Sequence, residues 1–180
     1  MPVQHVNDAV LKLMGRKGGA AAVRQKVAMV RERGIWLRST VMVGHPGEDQ
    51  AAFEELLDFV EEGHFDHLGA FTFSAEEGTR SAALGDGIAP EVKQERYERI
   101  MAAQQAVSER KLKSLKGRRF KTLVEGYHPE TELLLRGRTE FQAPEIDGLM
   151  VINEGGADAG TFATVEVTGS MQYDLVGRIV

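Results

Sequence analysis

Arg38-Ser39-Thr40-Val41-Met42-Val43-Gly44-His45-Pro46-Gly47-Glu48-Asp49 is an apolar, partly β-branched run that breaks at a Gly/Pro turn and passes straight into a helical pattern. Gly44, Pro46 and Gly47 end the strand, and Phe53, Leu56, Leu57 and Val60 then recur at helical spacing. A strand-loop-helix unit of this kind is the building block of α/β folds, and their ligands collect at the carboxyl ends of such strands. The turn is therefore the first candidate for a binding site.

Working outward from it, Asn7 or Asp8 can cap a short helix through Met14. A second helix runs from about Ala20 to Arg33, with Val23, Val27 and Val30 on one face and Gly34 as a left-handed stop. Strand Ile35 to Val43, helix Asp49 to Glu62 and strand His67 to Phe73 follow. The alternation of helix and strand argues for right-handed parallel crossovers. Two or three parallel strands cannot close a barrel, so residues 1–89 read as a segment of a partial (β/α) barrel.

Pro90 suits the first turn of a helix, because its missing N–H would have no partner there. The stripe Tyr97, Ile100, Met101, Gln104 and Val107 carries that helix to about Leu115, giving a connecting helix over 90–116. Beyond it the texture becomes short alternating runs at Phe120 to Glu125, Glu132 to Arg138, Leu149 to Asn153, Phe162 to Thr168 and Tyr173 to Val180. Turn signals separate them, which predicts a five-stranded antiparallel OB-like β-barrel over 117–180.

The string from Arg38 to Glu48 resembles the fifth-strand motif of the radical S-adenosylmethionine methylthiotransferases, and Pro2-Val3-Gln4-His5 resembles the end of their fourth strand. Phe71-Thr72-Phe73-Ser74-Ala75-Glu76-Glu77-Gly78-Thr79 is similar to the sixth-strand segment, and Ala143-Pro144-Glu145-Ile146-Asp147-Gly148-Leu149 to the signature of the terminal TRAM domain in one branch. The four segments occur in the family's order. The superfamily pattern Gly-x-Ile-x-Gly-x-x-Glu is met loosely, with Thr40 and Met42 in the first two places and the acid at Glu48.

The resemblance implies a TIM-like radical SAM barrel, S-adenosylmethionine and 4Fe-4S clusters as cofactors, and Gln4, Arg38, Thr40, Met42, Val43 and Phe73 as cofactor-binding residues. It further implies methylthiolation of the β-carbon of an aspartate in ribosomal protein S twelve, with that protein or the small ribosomal subunit as partner. The alternatives are a tRNA methylthiotransferase and a non-catalytic TRAM module that binds RNA or protein.

The chain has no cysteine, so it holds neither disulfides nor thiolate ligands for a cluster. The family carries a Cys-x3-Cys-x2-Cys loop near its first barrel strand and three further cysteines in a preceding domain. The resemblance therefore implies the C-terminal part of a longer enzyme, inactive by itself, with its N-terminal domains as further partners and no catalytic residue of its own. The histidines His5 and His45, with no third ligand nearby in sequence, point to hydrogen-bonding roles and to no metal site. His64 and His67 flank Phe65-Asp66 and read as solvated.

Composition is that of a soluble globular protein of 180 residues, 42% hydrophobic and 27% charged, with a net charge of -5. No window approaches the ~20 apolar residues of a membrane span, and no secretion signal opens the chain, so a cytoplasmic location without membrane partners is expected. The charge is unevenly spread. Arg110, Lys111, Lys113, Lys116, Arg118, Arg119 and Lys121 form a run without an acid, whereas Thr122 to Val180 holds ten acids against three bases. A net of -7 repels phosphate and attracts a basic protein, which favours the ribosomal protein over tRNA as partner.

Overall fold

The computed structural model describes residues 1–180. It divides into two compact units, Met1–Val107 and Ser108–Val180.

In the first unit, Asn7 caps α1 (Asp8–Leu13) through its Oδ1, which accepts the N–H groups of Ala9 and Val10. The neighbouring Asp8 carboxylate accepts the Ala20 N–H at 2.7 Å and so serves the start of α2 (Gly19–Glu32). Strand β1 (Arg38–Val43) and strand β2 (His67–Thr72) pair in parallel, with α3 (Gln50–Glu61) between them in sequence and capped by Asp49. Gln4 adds a bridge to Val41 on the other side of β1.

The expected strand from Ile35 begins instead at Arg38. The Leu37 N–H is taken at 2.7 Å by the Asp66 carboxylate, which also pairs with Arg31 at 2.8 Å, so this backbone is satisfied before the ladder starts. Burial along β1 alternates strictly: Ser39, Val41 and Val43 are buried, while Arg38, Thr40 and Met42 are half-exposed on the opposite face. Val41 and Val43 join Phe53, Leu56, Phe59, Val60, Phe65 and Ile100 in one apolar core. Burying such side chains stabilises the unit by about 1.5–3 kcal/mol each.

Helix α4 (Pro90–Lys113) starts at Pro90 as its chemistry dictates. In the second unit, β3 (Arg119–His128), β4 (Thr131–Arg138), β5 (Met150–Glu154), β6 (Phe162–Ser170) and β7 (Leu175–Ile179) close a barrel in the order β3-β4-β5-β7-β6. The five expected runs are all strands. The expected antiparallel barrel is in fact mixed, since β5 and β7 pair in parallel and the other four seams are antiparallel. Direction cannot alternate at every seam of a ring of five strands, so closure itself requires a parallel pair. No helix is long and apolar enough to cross a membrane.

Candidate functional site

The strand-end turn is built around one buried carboxylate. Gly44 opens it with φ +75°, and a Cβ there would lie 2.4 Å from Lys93 Cγ, so close packing as well as backbone conformation requires glycine. Glu48 Oε1 accepts the Gly44 N–H at 3.0 Å and the Arg96 guanidinium at 2.7 Å, and Arg96 also donates to the Glu48 carbonyl at 3.0 Å. Glu48 Oε2 faces His5 Nε2 at 3.3 Å. His5 Nδ1 accepts the Asn7 N–H, which leaves the proton of the neutral ring on Nε2, beside the acid but not hydrogen-bonded to it. Glu48, His5 and Arg96 are all buried. One carboxylate thereby ties the end of the Val3–His5 segment, the turn after β1 and the first turns of α4.

His45 completes the turn. Its Nδ1 lies 2.8 Å from the Pro46 carbonyl, which can only accept, so Nδ1 carries the proton and Nε2 accepts from Ser81 Oγ at 2.9 Å. The ring meets Phe73 edge-on at 5.1 Å. Lys93 donates to the Phe73 carbonyl at 3.2 Å, pairs with Asp86, and lies 5.3 Å over the Phe73 ring. The hydrogen-bonding roles expected for His5 and His45 are those they play. His67, expected to be solvated, is instead half-buried beside Trp36, and His64 leans on Phe59.

Burial holds His45 below its usual 6.5, while the Pro46 carbonyl and the Glu48 charge pull upward and His5 pushes down again. A histidine depressed in the folded state is protonated first in the unfolded chain, so stability is lost as pH falls below 6.5. The unfolding midpoint of the Met1–Val107 unit, followed by the fluorescence of the chain's one tryptophan, Trp36, should drop between about pH 7 and pH 5, and His45→Asn should flatten that slope. An unchanged slope in the variant would assign the pH dependence elsewhere.

Beside the network lies an open face. The register pairs Arg38 with His67, Thr40 with Gly69 and Met42 with Phe71, so these residues share the side of the sheet away from the core. Phe71 is exposed and Gly69 presents no side chain. Gln4, at φ +66°, is half-buried, and its Oε1 is buried without a hydrogen-bond partner. Of the six residues the sequence singled out, Arg38, Thr40 and Met42 lie on this face, whereas Gln4 is bridged to Val41, a core residue of the same strand. Val43 belongs to the core on the other side, and its carbonyl accepts the Phe73 N–H at 2.8 Å. Phe73 is buried as the backing of the turn.

Sequence reasoning missed Lys93, Arg96, Ser81 and Asp86. The signal for the first two was present: counting back from Ile100 at intervals of four and three reaches Arg96 and Lys93, on the same buried stripe.

The sequence profile of the Radical SAM superfamily matches residues 1–60, and that of the TRAM domain matches residues 117–180. Among the curated proteins that match across 100% of the chain are the "Ribosomal protein uS12 methylthiotransferase RimO" of Anaeromyxobacter sp. strain K at 50% identity, that of Syntrophotalea carbinolica at 47% and that of Geotalea uraniireducens at 46%. The chain aligns end to end with RimO. It spans 39%, 40% and 41% of the lengths of these RimO proteins, about two fifths of each. The radical SAM match covers the turn, His5 and the open face of β1, and the TRAM match covers the whole barrel of β3 to β7.

Proposed function

We propose that this chain supplies a wall of the S-adenosylmethionine site and the substrate-docking barrel of a RimO-type radical SAM methylthiotransferase that acts on ribosomal protein uS12 in the cytoplasm. The observation that carries this reading is the open face of Arg38, Thr40 and Met42, with Gln4 bridged to the same strand, beside a strand-end turn locked by Glu48. The residues fit an adenosine. Met42 and Phe71 offer apolar surface, Gly69 leaves room for a flat ring, Thr40 offers a hydroxyl, and the orphaned Gln4 Oε1 is an acceptor for an amino or hydroxyl donor. Val43 and Phe73 back the same strand end through their backbone hydrogen bond.

Bound S-adenosylmethionine supplies a methyl group and, with a reduced 4Fe-4S cluster, a carbon radical able to take hydrogen from an unactivated carbon. This chain, lacking cysteine, supplies no thiolate to such a cluster. Its residues orient the nucleoside, exclude water at the strand end through the buried turn, and dock the substrate.

Substituted for the matching two fifths of a RimO enzyme, the chain should sustain S-adenosylmethionine binding and methylthiolation of uS12. Thr40→Arg in that chimaera should weaken S-adenosylmethionine binding by about 1–3 kcal/mol through overpacking of the face. Calorimetry measures it, and unchanged affinity would move the cofactor away from β1.

A tRNA substrate is the second reading. In the basic segment, Lys121 Nζ lies 4.4 Å over the exposed Phe162 ring and Arg118 lies 5.3 Å over Phe120, a pairing of cations and aromatics suited to stacked bases. The acidic remainder of the barrel weighs against it.

A further inference from the structure

The ladder between β4 and β5 pairs only Leu135 with Ile152, Arg136 with Val151 and Gly137 with Met150. Beyond Leu135 and Ile152 the two strands separate, and a groove of about 590 Å³ opens between residues 132–135 of one and 152–158 of the other. Ile152 is buried there, while Leu133 is 89% and Tyr127 63% exposed.

The lining also includes Glu132, Glu154 and Asp158 and contains no lysine, arginine or histidine. None of these three carboxylates is in an ion pair, although Glu125 is paired with Arg138, and Glu166 with Arg119 and Arg178. Bases are thus available in the barrel and are used elsewhere. The groove is mostly polar, and two features, Leu133 and Tyr127 exposed along it and three unpaired acids lining it, describe the same occupant.

We propose that this groove binds an extended, Lys/Arg-rich segment of a protein partner, with an aliphatic side chain seated against Leu133 and Tyr127 and the cations paired with Glu132, Glu154 and Asp158. The barrel is closed, so it has no ordinary sheet edge for strand addition, and the splayed seam is where an extended segment can lie. Phosphate is repelled by the same three charges. The proposal rests on reading the chain as part of an enzyme with a protein substrate, and it places the contact on that barrel.

The test titrates the 180-residue chain with ribosomal protein uS12, with a labelled peptide Lys-Arg-Leu-Arg-Lys, and with tRNA. Each is repeated with the triple variant Glu132→Gln, Glu154→Gln, Asp158→Asn, with Leu133→Ser, and with a control, Glu140→Gln, Glu145→Gln, whose acids are exposed outside the groove. Circular dichroism checks that each variant is folded. The triple variant should weaken uS12 and the peptide about tenfold, and Leu133→Ser about fivefold, with the control unchanged. If uS12 binds and the groove variants leave it unaffected, the groove is not its site and the proposal falls while the protein-substrate reading stands. If the peptide depends on the groove and uS12 does not bind at all, the site stands and that reading falls. Binding of tRNA, or self-association of the chain, that is lost in Leu133→Ser would name a different occupant and overturn the proposal. No binding of either basic probe overturns both.

Discussion

Glu48→Ala should lower the unfolding free energy of the Met1–Val107 unit by about 3–5 kcal/mol, because it strands the buried Arg96 guanidinium and leaves the Gly44 N–H without its acceptor. Urea unfolding followed through Trp36 reads that unit alone, since it is the chain's one tryptophan. Glu48→Gln keeps an oxygen for Gly44 and Arg96 and gives up the charge, so its loss should be smaller. A loss below about 1 kcal/mol for Glu48→Ala would mean that the network is no more than a surface ion pair in energy, and that the turn is held by its apolar packing. Because the same carboxylate positions the strand end next to Gln4 and Thr40, the folded fraction of the variant should also bind the proposed cofactor less well.

Gly148→Ala is expected to destabilise the barrel by about 3 kcal/mol or more. A Cβ at this position would sit 1.8 Å from the Tyr173 carbonyl oxygen and 2.5 Å from its carbon, backbone atoms that a rotamer change cannot move aside. The surroundings are fixed as well: Leu149 donates to Asp174 Oδ1 at 2.8 Å, and Leu175 donates to the Leu149 carbonyl at 2.9 Å, so β5 and β7 are pinned together at their start. The signature from Ala143 to Leu149 is thereby explained as the corner that starts β5, with the Asp147 carboxylate accepting the Ala143 N–H at 2.7 Å. Amide hydrogen exchange in Met150–Glu154 and Leu175–Ile179 should accelerate, while the Trp36 transition stays where it was. Unchanged protection would show that the corner yields.

The candidate site was legible only in part. The turn itself, the position of the acid at Glu48 and the alternation that puts Thr40 and Met42 on one face follow from residue type and a period of two. Val43 is displaced to the core by that same period, one residue on from Met42. The partners of the turn were not legible: Arg96 and Glu48 are 48 residues apart in sequence, and Lys93 reads as a solvated lysine until the helix that carries it is packed. A charged residue on a buried stripe is recognisable as a network member only when its counter-charge is known.

The chain by itself determined what short-range chemistry decides. Asn7 and Asp49 cap their helices, Pro90 begins α4, Gly34 stops α2, and short runs between turn residues mark the strands of the barrel, because caps and turns act within a few residues. Tertiary structure decided which of those residues meet. It shortened β1 to Arg38 by giving the Leu37 N–H to Asp66, it buried Lys93 and Arg96 against the turn, and it made the β5–β7 seam parallel. The reason is common to all three: hydrogen-bond satisfaction, charge pairing and barrel closure are conditions on groups far apart in sequence, and only the closed fold brings them within reach of one another.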